Sequence, residues 1–183
     1  MAHSFPPFPK GMPQKYYEAG LKYFESFDGF GDHYEIMSAE EKFELDIGGY
    51  TFVGIADLVL KDKNTGGLVV IDHKSKSASS MKKELDTYRK QLYIYAAHVY
   101  QKYGVYPEKL MFNMFKEGNF IEEEFDKDMY DQTMQWVVDT IENILFETDW
   151  EAKTNGYFCK FVCSVLDSCP LYDEIMNPPK KKG

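Results

Sequence analysis

Two aspartates and one lysine carry the most chemistry in this chain. Asp57 closes Gly54-Ile55-Ala56-Asp57, and Asp72 and Lys74 follow in Ile71-Asp72-His73-Lys74. An acid-x-Lys pattern occurs three times, at Glu40-Glu41-Lys42, Asp72-His73-Lys74 and Glu151-Ala152-Lys153, so the pattern alone says little. Only the middle copy directly follows a β-branched run, Leu68-Val69-Val70-Ile71, and a chain leaving a strand there puts Asp72 and Lys74 on the same side of the pleat. If Asp57 lies beside Asp72 on a neighbouring strand, two carboxylates share one site. At about 4 Å they repel by roughly 1 kcal/mol in water, and by several times that in a partly buried cleft. A hard divalent cation relieves this. Mg²⁺ takes one or two carboxylates plus waters and phosphate oxygens, and the backbone carbonyl of His73 could add a ligand. Lys74 beside that cation could orient or deprotonate water, or stabilise charge on a phosphate. Metal-assisted phosphodiester hydrolysis is the chemistry these parts suit.

The elements that must position these residues follow from pattern. His3 to Pro13 holds four prolines and reads as an arm; Gln14 to Phe27 has Tyr17, Leu21 and Phe24 at helical spacing and ends at Asp28-Gly29-Phe30-Gly31-Asp32. Lys42 to Ile47 alternates, Gly48-Gly49 turns, and Tyr50 to Leu60 is strand-like, which predicts an antiparallel pair. Asn64-Thr65-Gly66-Gly67 turns into Leu68–Ile71, a third strand able to bring Asp57 and Asp72 into register. Ser75 to Ser80 reads as a polar loop. Leu85, Leu92, Ala96, Val99 and Tyr103 mark a helix that stops at Gly104. Lys109 to Lys116 and Phe120 to Phe125 form a hairpin around Glu117-Gly118-Asn119, and Tyr130 to Leu145 is a second long amphipathic helix. This order predicts an α/β fold: a central mixed sheet of about five strands flanked by helices. We expect one domain over 1–183, with an arm at 1–13, a core at 14–150, a Cys-containing segment at 151–183 and a mobile tail from Asn177.

Composition limits the function classes. A chain of 183 residues, 44% apolar and 28% charged, is neither disordered nor, with three cysteines, a disulfide scaffold. No apolar run approaches the roughly 20 residues that span a bilayer, and the N-terminus lacks a secretory pattern. A cytoplasmic location and no membrane partner are expected. The net charge of −9 opposes non-specific coating of DNA, but not a local grip. Between Lys74 and Lys90, six basic residues (Lys74, Lys76, Lys82, Lys83, Arg89, Lys90) face only Glu84 and Asp86, a band that could hold a phosphate backbone or serve simply as a solvated helix face.

Taken in order, Gly54-x-x-Asp57, the apolar strand ending Asp72-x-Lys74, and Gln91-Leu92-Tyr93-Ile94-Tyr95 resemble the PD-(D/E)xK nuclease superfamily in its RecB-like branch, which includes Cas4 and phage recombination exonucleases. The likeness covers roughly residues 41 to 100. It implies a restriction-endonuclease-like core, Mg²⁺ or Mn²⁺ on Asp57 and Asp72, Lys74 as the catalytic lysine, and Gln91 with Tyr95 as a glutamine-x3-tyrosine motif near the site. Family members add an acid or His from upstream. Glu18, Glu25, His33 and Glu35 are candidates, and Glu41 resembles the recurrent acid of the branch most. Cys159-x3-Cys163-x5-Cys169 is similar to the triad with which many RecB-like nucleases hold a [4Fe–4S] cluster. The first spacing differs, however, and the fourth Cys that such a cluster needs is missing. An upstream segment carrying it is one explanation; three reduced buried thiols are the other.

The resemblance implies a Mg²⁺-dependent deoxyribonuclease, an exonuclease more than an endonuclease, acting in recombination, repair or phage DNA processing. Its partner would be DNA, with a recombinase, helicase or single-strand annealing protein alongside. The alternatives are a catalytically silent nucleic-acid-binding module and an accessory subunit of a helicase–nuclease complex. In the plainest case Asp57 and Asp72 are exposed strand-end acids, with Lys74 a surface partner contributing under about 1 kcal/mol.

Overall fold

A computed structural model describes residues 10–27 and 29–178. Residues Tyr17–Phe146 form one compact unit; Met1–Tyr16 with Glu147–Gly183 form a second. Most of the expected N-terminal arm, and the tail from Pro179 onward, lie outside the described residues. In the second unit the chain makes two short helices, α5 (Gly156–Phe161) and α6 (Tyr172–Met176), with a 3₁₀ turn at Leu166–Ser168 between them. Among the described residues no helix is long and apolar enough to cross a membrane.

The larger unit is built on a five-stranded mixed sheet in the order β1-β2-β3-β4-β5, as the pattern of elements predicts. These strands are β1 (Tyr34–Ile47), β2 (Tyr50–Asp62), β3 (Leu68–His73), β4 (Lys109–Met114) and β5 (Asn119–Glu124). All neighbours are antiparallel except β3 and β4, which run parallel and are joined through helices α2 (Ala78–Lys83) and α3 (Leu85–Tyr103). A parallel pair needs such a crossover. The remaining helices are α1 (Met12–Ser26) and α4 (Lys127–Phe146).

Three local features set this arrangement. Gly48 and Gly49 both take positive φ (62° and 84°), as a two-residue hairpin turn with the twist of its strands requires, and this fixes Ile47 opposite Tyr50. Gly104 ends α3 at φ 73°, its N–H donating to the Tyr100 carbonyl. Ser77 caps α2 by accepting from the Ser80 N–H, which turns part of the expected 75–80 loop into helix.

Both sheet faces are apolar around β3, which explains its unbroken β-branched run. Leu68 and Val70 face the larger core beneath α3, together with Leu92, Ala96, Val99 and Phe112. Val69 and Ile71 join Leu58, Leu60 and Met111 on the other face, against which Phe30 and Tyr34 pack. Helix α3 is buried without interruption from Leu92 to Val99, more than the single apolar face read from its sequence. The reason is α4, whose Val137 and neighbours join the same core and cover the outer side of α3.

β1 begins eight residues before the Lys42 start read from alternation. Tyr34 to Glu41 has no clean period, and it is held by pairing along β2 across a register shift between Ile36 and Ser38. Within the hairpin, Phe43 sits opposite Gly54, and its ring occupies the space a Cβ at position 54 would need. The same ring stacks on His98 at 4.6 Å and meets Tyr95 edge-on at 6.0 Å, so it has nowhere to retreat. Gly54→Ala is therefore expected to destabilise the protein by about 1–3 kcal/mol, read as a lower urea midpoint at unchanged slope.

Candidate active site

The β2–β3 ladder runs from Lys61↔Leu68 to Leu58↔Ile71 and stops. One step further, the register sets Asp57 against Asp72 just where the strands part, while β3 continues beside β4 with Asp72↔Phe112 and His73↔Asn113. Alternation carries Asp72 and Lys74 onto the α3 side, with Val70. Asp57 spans the opening, its Oδ2 accepting from the His73 backbone N–H at 2.8 Å.

Asp72 is 1% exposed. Burial pushes its carboxyl above the usual range; Lys74 opposes this, and the charge of Asp57 adds to it. The Lys74 Nζ lies 2.7 Å from Asp72 Oδ2, so this buried oxygen is held by the lysine ammonium in an ion pair. Lys74 also donates to Gln91 Oε1 at 2.7 Å, and Gln91 Nε2 donates to the Tyr95 hydroxyl oxygen at 2.7 Å. Gln91 and Tyr95 are four apart on α3 and so share a face. Burial raises the Tyr95 phenol to about 12, opposed by its Gln91 hydrogen bond and reinforced by the charges of Asp72, Asp57 and Glu40. Tyr95 thus stays protonated at any working pH and fixes the glutamine amide, whose oxygen fixes the lysine.

The His73 imidazole lies on the opposite sheet face, with Nδ1 3.0 Å from Asn113 Nδ2 and its ring beside Phe30. Only its backbone reaches the acids. His33 lies beside Tyr34, Glu35 pairs across from Lys61, and no hydrogen bond or ion pair joins either to Asp57, Asp72 or Lys74. Glu18 and Glu25 are carried by α1.

Glu41 stands opposite Ala56 on β2, and Lys102 donates to both its oxygens at 2.6 and 2.8 Å, with His98 Nε2 3.4 Å away. The Lys102 hydrogen bond holds the carboxyl at about 2. Folding therefore gains from this pair above the ordinary carboxylate value of 4.5, and the gain is lost as pH falls from there toward 2. We expect Glu41→Gln to cost about 1 kcal/mol or less at pH 7, since the pair is partly solvated, and nothing near pH 2. Urea unfolding at both pH values measures the difference.

The sequence reading passed over the neighbouring acid. Counting back from the Gly48-Gly49 turn, Ile47↔Tyr50 brings Glu40 level with Asp57, although the ladder passes from Ala39↔Leu58 to Glu41↔Ala56 without pairing Glu40. Glu40 is also the one described non-glycine residue with positive φ, 50°, a conformation that costs an L-residue roughly 1–2 kcal/mol.

Among the described residues no three His, Cys, Asp or Glu side chains converge to hold an ion. Asp57 and Asp72 alone, with the His73 carbonyl, suit a cation that takes one or two carboxylates and completes its shell with water and substrate oxygens, as Mg²⁺ and Mn²⁺ do. The buried Asp72 carboxylate, with the Asp57 charge near it, fits that role. The cysteines fit theirs less well. Cys159 lies on α5, and Cys163 and Cys169 follow it; all three are free, half-buried thiols, and they form no ion-holding group among the described residues. Their placement gives no support to a [4Fe–4S] site.

A mixed sheet with two aspartates and a lysine at the parting of two central strands defines a class, and comparison supplies its name. The model of the PD-(D/E)XK nuclease superfamily matches residues 6–170, and the chain belongs to that superfamily. Membership implies nuclease activity on DNA, with Mg²⁺ or Mn²⁺ as the general cofactor, and the five-stranded sheet flanked by helices is consistent with its restriction-endonuclease-like fold. One solved structure similar to the chain is described as the crystal structure of SSO0001. It is 22% identical, the match covers 90% of this chain and 72% of that one, and the TM-score is 0.43. No curated protein matches the chain.

Proposed function

We propose that this chain is a Mg²⁺- or Mn²⁺-dependent deoxyribonuclease of the RecB-like branch, working as an exonuclease in recombination, repair or phage DNA processing. What supports the reading most is the meeting of Asp57, Asp72 and Lys74 where β2 and β3 part, with Lys74 held by Gln91.

Asp57 and Asp72 would hold the cation with the His73 carbonyl; when bound, it neutralises charge at the phosphate under attack. The protein's own groups do the rest. The Lys74 ammonium has three N–H donors, one of them spent on Gln91. A second faces Asp72, and the third is available to a phosphate oxygen as negative charge builds there, or to the attacking water. Gln91 and Tyr95 position Lys74. Glu41 is occupied by Lys102, which leaves its neighbour Glu40, level with Asp57, as the alternative third acid.

The basic band reaches the site in part. Lys76 is paired with Glu84, and Arg89 with Glu123 and Asp86, but Lys82, Lys83 and Lys90 have no acidic partner among the described residues. Those three are the candidates for holding the DNA backbone.

The test is cleavage of linear and circular DNA, with and without Mg²⁺, by the wild type and Asp72→Ala. Metal-dependent loss of linear DNA that vanishes in the variant is expected. Binding without cleavage in every condition would replace the proposal with a silent binding module. Activity that appears only with an added partner would make the chain an accessory subunit.

A further inference from the structure

Beside Gln91 a cleft of about 310 Å³ opens between β2, α3 and α4, lined by Val53, Ile55, Lys90, Gln91, Tyr95 and Trp136. Three features of it are unusual for an ordinary surface. Its apolar walls are left in water: Val53 is 51% exposed, Ile55 50% and Trp136 41%. Its cation, Lys90, has no carboxylate partner among the described residues and rests over the Trp136 indole at 3.9 Å. Its inner end is shared with the active site, since Gln91 and Tyr95 line the cleft while Gln91 holds Lys74.

We propose that this cleft is a nucleotide subsite for single-stranded DNA, in which an unpaired base stacks on Trp136 against Val53 and Ile55 and Lys90 takes the adjoining phosphate. The inference rests on the nuclease reading only for its link to cleavage. A base that takes the ammonium's place on the half-exposed indole finds a π-face of the kind bases stack on without regard to sequence, and the displaced Lys90 meets its phosphodiester. Paired bases in a duplex have both faces covered by their neighbours, so only a single strand or a frayed end can enter. A base held here keeps its strand next to Lys74 and the two aspartates.

The chain has two tryptophans, so Trp150→Phe leaves Trp136 as the sole indole reporter. In EDTA, dT12 is expected to quench its fluorescence and a blunt 12-base-pair duplex to leave it nearly unchanged. By anisotropy of labelled dT12, Trp136→Ala should weaken binding about tenfold or more, Trp136→Phe should retain most of it, and Lys90→Glu should weaken it and flatten its salt dependence. Trp136 is partly exposed, so these variants are expected to fold, which their urea midpoints check. Unchanged dT12 affinity in folded Trp136→Ala, or equal quenching by duplex, overturns the subsite. Cleavage measured separately keeps the two readings apart. Quenching by dT12 without metal-dependent cleavage sinks the nuclease and keeps the subsite; cleavage without quenching does the reverse.

Discussion

Asp72→Asn is expected to lower Mg²⁺-dependent cleavage by about 10³-fold or more while raising, not lowering, the metal-free melting temperature. Both effects come from one fact. The Asp72 carboxylate is buried, with the Asp57 charge near it, and the folded protein holds its proton more tightly than the unfolded chain does. For an acid with a raised value the sign is unambiguous: between the unfolded value, about 3.9, and the higher folded one, the native state binds more protons, so stability falls as pH rises through that window. At neutral pH the ionised group is a standing cost. Asparagine keeps the shape, removes that cost and still offers Lys74 an amide oxygen beside its Gln91 partner, so the metal-free melting temperature rises. Below the window the variant and wild type should converge. Mg²⁺ offsets the same cost in the wild type: at a hundredfold excess over its Kd it should add about 2.7 kcal/mol, roughly 5–10 °C, with no such gain in Asp72→Asn. Thermal melts at two pH values with and without Mg²⁺ measure this. A variant less stable than wild type in metal-free buffer at neutral pH would contradict it.

The second large effect is at Lys74. Lys74→Met should reduce kcat by about 10²–10³-fold with metal affinity kept within a few-fold, because the lysine acts on the phosphate or water and not as a cation ligand. Its removal also leaves Asp72 buried without its neighbouring cation. The metal-free protein should therefore lose stability, by as much as roughly 3–5 kcal/mol if Asp72 stays ionised, and recover it when Mg²⁺ is added. Gln91→Leu, which frees the ammonium without removing it, should give a smaller loss in kcat that Gln91→Glu partly reverses. Single-turnover kinetics with Mn²⁺ titration separate the two roles.

The fold was legible where local pattern and tertiary environment agree. The β-branched run Leu68–Ile71 is buried on both faces, the Gly48-Gly49 turn closes a hairpin, and α3 stops at Gly104. It was illegible where an element is held by its partner and not by its own period. The first half of β1 exists because β2 runs alongside it, and the outer face of α3 is buried because α4 lies over it. Helix α1 misleads in the other direction: Tyr17, Leu21 and Phe24 recur at helical spacing, yet no residue of α1 is buried. In the site, types and spacing marked Asp57, Asp72, Lys74, Gln91 and Tyr95, but a choice between adjacent acids is a question of strand register, which spacing to the next motif does not reveal. Turn geometry bears on it, by bringing Glu40 level with Asp57.

The most direct measurement is anomalous diffraction from crystals of the wild-type protein soaked in Mn²⁺. A single strong peak in contact with carboxylate oxygens of both Asp57 and Asp72, at about 2.0–2.3 Å, with Lys74 alongside, is the result expected. A peak that touches one aspartate alone, or a saturating soak that leaves the pair without an ion, would contradict the shared-cation site.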